Sequence, residues 1–161
     1  MQLLSFSVGD EHYAIEARRV VEVLPMVTAR PIPRMPTYVG GVFVHRGRLV
    51  PLVDLGRRLA DRPLRERLST RVIVVEFSPA AGLPVGSATR LGVAAENVVS
   101  LCSSEEAEAS FPGMQAPDAA YLGRLLRIGG RTIQLLLVEH LLPPEIAGAL
   151  PPASAPISGV S

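Results

Sequence analysis

The 161-residue chain has no tryptophan, no lysine, one cysteine, seven aromatic residues and no aliphatic run of membrane-spanning length. Each scarcity removes a class of function. A lone cysteine, Cys102, cannot form an intramolecular disulfide or a multi-thiolate metal site, and reads as a small buried hydrophobe. The longest aliphatic run near the C-terminus, Leu135 to Val138, is far short of the ~20 residues that cross a bilayer. No direct membrane insertion is therefore expected. Leu3-Leu4-Ser5-Phe6-Ser7-Val8 follows the start at once, without a basic stretch or a cleavage site, which reads as a cytoplasmic protein. His12, His45 and His140 lie far apart and in no His-x-x-x-His spacing, so neither a metal nor a cofactor is expected. Gly-x-Ser-x-Gly, a phosphate loop and Gly-x-Gly-x-x-Gly are all missing, and with them the usual marks of an enzyme. Too few aromatics remain outside alternating strand positions to stack bases, so nucleic acid is not an expected partner.

What is present describes a folded domain. Hydrophobic residues make up 48% of the chain and charged residues 19%, the formal net charge is +1, and 14 glycines and 15 prolines are too few for a disordered chain. Every basic residue is arginine. Residues 1 to 71 hold twelve arginines against seven acids, and residues 72 to 161 hold four against eight, so the two halves carry opposite signs. Such an asymmetry suits either steering toward complementary partners or packing of one half on the other.

Period-two patterning dominates. Leu4, Phe6 and Val8 lead through Gly9-Asp10 to Tyr13 and Ile15, a hairpin pattern, and Val20 to Leu24 predicts the next strand. Four prolines make 25 to 36 an extended connection. Val42 to His45, the Arg46-Gly47 turn and Arg48 to Val53 predict another hairpin, with Pro51 at an edge or bulge and Asp54 as N-cap of a short helix, Leu55 to Ala60. Later come Arg71 to Phe77, a loop from Ser78 to Arg90, Leu91 to Leu101, and an acidic, unpatterned connection from Ser103 to Ala119. Tyr121 to Ile128, Gly129-Gly130 and Arg131 to Val138 form the last predicted hairpin. Residues 41 to 54 resemble 123 to 139, which suggests two like subdomains. The fold class is all-β: a single domain over 1–142, with subdomains near 1–68 and 69–142 between which the chain is free to cross. Residues 143–161 read as a flexible Pro/Ala/Ser tail. Small barrels without visible chemistry usually work by presenting surface to other proteins.

A series of motifs then carries a resemblance. Phe6-x-Val8-Gly9-Asp10-Glu11-x-Tyr13-Ala14-Ile15-Glu16, Val20-x-Glu22-Val23, Pro36-x-x-Val39-x-Gly41-Val42, Arg46-Gly47-x-x-Val50-Pro51-x-Val53-Asp54-Leu55, Leu91-Gly92-Val93 and Tyr121-Leu122-Gly123 occur in order, ungapped from Leu4 to Leu55. Together, over roughly residues 3 to 142, they resemble the CheW-type coupling proteins of bacterial chemosensory arrays. The resemblance implies two five-stranded SH3-like β-barrels, no catalysis and no cofactor. It also implies a scaffold that joins the signalling tip of a methyl-accepting chemoreceptor to the regulatory domain of a CheA-type histidine kinase, recruited to arrays at the inner face of the membrane. Positions matching its receptor-facing surface are Val20, Glu22, Arg46, Val98 and Leu101. Valines at strand spacing more often serve the core, so Val20 and Val98 have that second reading. Val44-His45 stands where the family commonly carries Asn-Leu, and Val20 to Pro25 with Gly41-Val42-Phe43 is similar to coupling subunits of alternative pathways such as surface sensing. The competing reading is an SH3-like peptide- or RNA-binding module outside chemosensory signalling.

Overall fold

The computed structural model describes residues 1–77, 89–113 and 116–151. Among these residues the chain forms β1 (Gln2–Val8), β2 (Glu11–Glu16), β3 (Val20–Pro25), β4 (Val39–His45), β5 (Arg48–Asp54), α1 (Leu55–Ala60), β6 (Arg71–Glu76), β7 (Arg90–Ser103), β8 (Ala109–Phe111), β9 (Leu122–Ile128), β10 (Arg131–Leu136) and α2 (Pro144–Ala149). Most of the loop read from Ser78 to Arg90 lies outside the described residues.

Two barrels share one strand plan. In the first, the order is β3-β6-β7-β5-β4; in the second it is β7-β1-β2-β10-β9. Both run antiparallel, antiparallel, parallel, antiparallel along that order. The internal repeat falls on β4–β5 and β9–β10, which hold equivalent places. Their turns are equivalent too: Arg46 and Gly47 have φ of 51° and 75°, Gly129 and Gly130 of 58° and 75°. Positive φ at both central residues twists the flanking strands in the sense a sheet requires. Each barrel is closed by the segment following its first strand. After β3, Arg30 exchanges two backbone hydrogen bonds with Val42, at 2.8 and 2.9 Å, and after β7 the short β8 pairs with β9. Gly41 permits the first closure, because a Cβ there would stand 2.1 Å from the Arg30 carbonyl oxygen.

The barrels do not divide the chain at residue 68. β1 and β2 join the later strands, whereas β3 to β6 form the other barrel with the first half of β7. β7 serves both: Arg90 to Ala95 pairs with β6, and Glu96 to Ser103 pairs with β1. The junction is built from polar groups. Asn97 adopts φ of 51°, its Nδ2 donates to Ser7 Oγ at 2.7 Å, and its Oδ1 accepts from Ser69 Oγ at 3.0 Å. Beside it the buried Glu96 carboxylate accepts from the Gly9 N–H at 3.1 Å and the Arg65 N–H at 2.8 Å. Two loops are thereby tied to the point where the strand changes barrel.

Alternation along the strands makes three cores. On β6, Val72 and Val74 face the interior of the first barrel with Phe43, Val50, Leu52 and Ala94, and Ile73 and Val75 face a larger cluster between the barrels. That central cluster also takes Leu4, Phe6, Ile15, Val53, Leu91, Val93 and Leu136. Leu3, Ala14, Leu126, Ile133 and Leu135 fill the second barrel. Burial on both faces explains why Arg71 to Phe77 reads as one continuous apolar run. Pro51 lies where its missing N–H costs little: β5 pairs with β7 only from Leu52 onward.

Asp54 caps α1 as expected, accepting from the Arg57 N–H at 3.2 Å. Two expectations are corrected. The connection from 103 to 119 contains β8, whose pairing partner lies too far along the chain to leave a local pattern. Residues 143 to 151 are not tail-like: α2 starts on Pro144, buries Ala147 and packs Ile146 and Leu150 on the central core. Residues 152 to 161 lie outside the described residues.

Candidate interaction site

The middle of β3, the last residue of β4 and the β4–β5 turn bring one carboxylate to two nitrogen groups. Glu22 Oε1 lies 3.3 Å from His45 Nε2 and 3.4 Å from an Arg46 Nη2. A carboxylate only accepts, so His45 donates from Nε2. The imidazole is 6% exposed, and its Nδ1 is buried without a hydrogen-bond partner among the described residues. His45 is the last residue of β4, and its alternation places it on the buried face of Phe43. Arg46 stands out in solvent on a left-handed backbone, with the Glu22 side chain half-covered beneath it. An ion pair this exposed adds at most about 1 kcal/mol to stability, which leaves both charges available to an outside partner.

The other three predicted positions separate. Val20 opens β3, half-buried against the central core and paired with Val75. Val98 is buried at 6% exposure in that same core, so it supports a surface from below and is not an exposed groove floor. Leu101 is 67% exposed on β7, opposite Leu4. Thus Glu22 and Arg46 touch, Val20 and Val98 share the central cluster, and Leu101 presents a bare apolar side chain. An exposed leucine of this kind, with Val44 at 69% exposure beside the Arg46 turn, is the usual material of a contact surface. Val44 and His45 escaped the sequence-level site; their signal was the departure from the Asn-Leu pair.

A second feature was missed as well. The Arg58 guanidinium of α1 lies 4.4 Å from the centroid of the Tyr38 ring and 4.2 Å from that of Tyr121, and its Nε donates to the Leu141 carbonyl at 3.1 Å. This clasp joins the segment before β4 to the segment before β9, and so one barrel to the other. Cys102 is half-buried, and burial followed by the Glu106 charge pushes its thiol pKa up, away from reactivity. Among the described residues no three His, Cys, Asp or Glu side chains are placed to hold a metal, and no helix is long and apolar enough to cross a membrane.

The model of the CheW-like domain matches residues 2–145. The chain belongs to the CheW-like family. It is 26% identical over 145 residues to the chemotaxis protein CheW of Rhizobium meliloti, covering 89% of this chain and 88% of that one. Against the chemotaxis protein CheW of Helicobacter pylori it is 33% identical over 78 residues, 48% of this chain and 47% of the relative. Its fold is that of the scaffolding protein TtCheW from Thermoanaerobacter tengcongensis, with a TM-score of 0.72, 20% identity, and coverage of 92% of this chain and 90% of the other. CheW-like membership makes this a non-catalytic coupling and scaffold protein of chemotaxis-type signalling. A peptide- or RNA-binding module outside such signalling is not favoured.

Proposed function

We propose that this CheW-like chain couples the signalling tip of a methyl-accepting chemoreceptor to the regulatory domain of a CheA-type histidine kinase, and that the receptor meets the Glu22–Arg46 end of the first barrel. The observation that supports this most is the exposed, loosely held charge pair at a barrel end, flanked by the bare apolar side chain of Val44. A helical hairpin is recognised by apolar contacts and a few charges that set its register. Glu22 and Arg46 supply charges of both signs within one side-chain diameter. Leu101 supplies an apolar contact on the second barrel; Val20 borders the core, and Val98 fixes the β7 backbone from below. Recruitment to receptor arrays at the inner face of the membrane follows from that contact.

Co-purification with a receptor signalling fragment and a CheA-type kinase from the same genome tests the reading. Both should be captured, and Arg46→Glu should weaken receptor capture about tenfold while kinase capture and the circular dichroism spectrum stay unchanged. Capture of neither partner by the natural chain would end the proposal.

A further inference from the structure

A groove of about 650 Å³ opens between the barrels, on residues none of which belongs to the Glu22–His45–Arg46 cluster. Its walls are Tyr38 and Tyr121, and Phe77, Leu142 and Ala147 give it a buried apolar base. The dominant charge around it is negative. Asp118 and Glu145 border the groove, exposed, and neither is in an ion pair among the described residues. Glu139, also on the lining, is 3.5 Å from Arg19, which neutralises it. Among the described residues, Arg58 is the one arginine on the lining, and it is already enclosed between the two tyrosine rings and hydrogen-bonded to the Leu141 carbonyl. Burial foremost holds the Tyr38 phenol above its ordinary pKa; Arg58 opposes that rise, and Glu145 and then Tyr121 add to it.

We propose that this groove is a second docking surface, and that it takes an arginine-bearing apolar segment of a partner protein. Three properties select that occupant. The apolar base asks for an aliphatic side chain. Two uncompensated carboxylates at the border ask for a cation. The paired oxygens of a carboxylate favour a planar, forked guanidinium over a compact ammonium. A carboxylate-bearing segment would meet Asp118 and Glu145 with Arg58 already occupied. The surface stands apart from the receptor-facing end, so it offers the scaffold a simultaneous third contact.

The test is a nuclear magnetic resonance titration of the full chain with acetyl-Leu-Arg-Leu-amide, and with acetyl-Leu-Glu-Leu-amide as its charge-reversed control. The arginine peptide should shift the amides of Tyr38, Tyr121 and Ala147 to saturation, and the glutamate peptide should bind about tenfold more weakly. Combining Asp118→Asn with Glu145→Gln should lower affinity for the arginine peptide about fivefold, the product of two exposed charge contacts. Both substitutions are on the surface, and unchanged dispersion of the remaining resonances verifies the fold. Equal or tighter binding of the glutamate peptide would make Arg58 an anion anchor and overturn the proposal. So would equal affinity in the doubly substituted chain, or shifts that never saturate. Movement of the same amides on simple dilution would assign the groove to a second copy of this chain, which overturns it too.

Discussion

At the residue scale, two side chains that look ordinary in the sequence carry disproportionate weight. Glu96 sits in an apolar run yet satisfies two backbone N–H groups from loops remote from each other in sequence, Gly9 and Arg65. Hydrogen bonds to a charged acceptor contribute about 1.5–3 kcal/mol, and leaving buried donors unpaired adds to the loss. Glu96→Ala should therefore lower unfolding stability by about 2–4 kcal/mol in urea titrations, and Glu96→Gln, which keeps one acceptor, should lose less. Ionisation offers another check. Tyr13 has its pKa raised by burial first and by Glu11 second, and Tyr38 by burial first. A phenol held neutral in the fold contributes stability that is complete below the unfolded value near 10 and is lost as pH climbs through the higher folded value. Stability followed by denaturant midpoint should stay level with respect to these groups up to pH ~10 and fall beyond it, and Tyr13→Phe should flatten that fall.

Elements show where sequence patterns are informative and where they stop. The hairpins are legible because each writes its own turn: Arg46-Gly47 and Gly129-Gly130 lie between alternating runs, so strand and partner are both local. Asp54 before α1 is legible for the same reason. β8 has three residues and a partner beyond an intervening loop, so nothing local marks it. α2 is hidden by composition, although Pro144 at its first turn is a start signal that a proline-rich stretch conceals. Of the interaction site, Glu22 and Arg46 are readable by resemblance, whereas the burial of His45 and Val98 depends on packing across elements. β7 shows how tight that packing is. A Cβ at Gly92 would lie 2.7 and 2.9 Å from two ring atoms of Phe43. Gly92→Ala should cost about 1–3 kcal/mol through overpacking. Phe43→Leu on that background should recover part of the loss, a non-additivity that a double-mutant cycle in urea would measure.

At the scale of the molecule, the barrels are not separable modules. The central cluster draws residues from both, the Arg58 clasp spans them, and β7 is a member of each. Unfolding should accordingly be one transition, with far-ultraviolet circular dichroism and tyrosine fluorescence giving coincident curves. Two resolved transitions would mean that the barrels melt independently, against the shared core.

The path of β7 has a mechanical consequence. A pull that tries to part the region around Leu101 from the region around Gly92 acts along fourteen residues of uninterrupted main chain. Between the ladders to β6 and β1, bending is opposed by the hydrogen bonds of Glu96 to Gly9 and Arg65 and of Asn97 to Ser7 and Ser69. Displacement imposed on one barrel therefore arrives at the other almost undiminished, as it would through a strut.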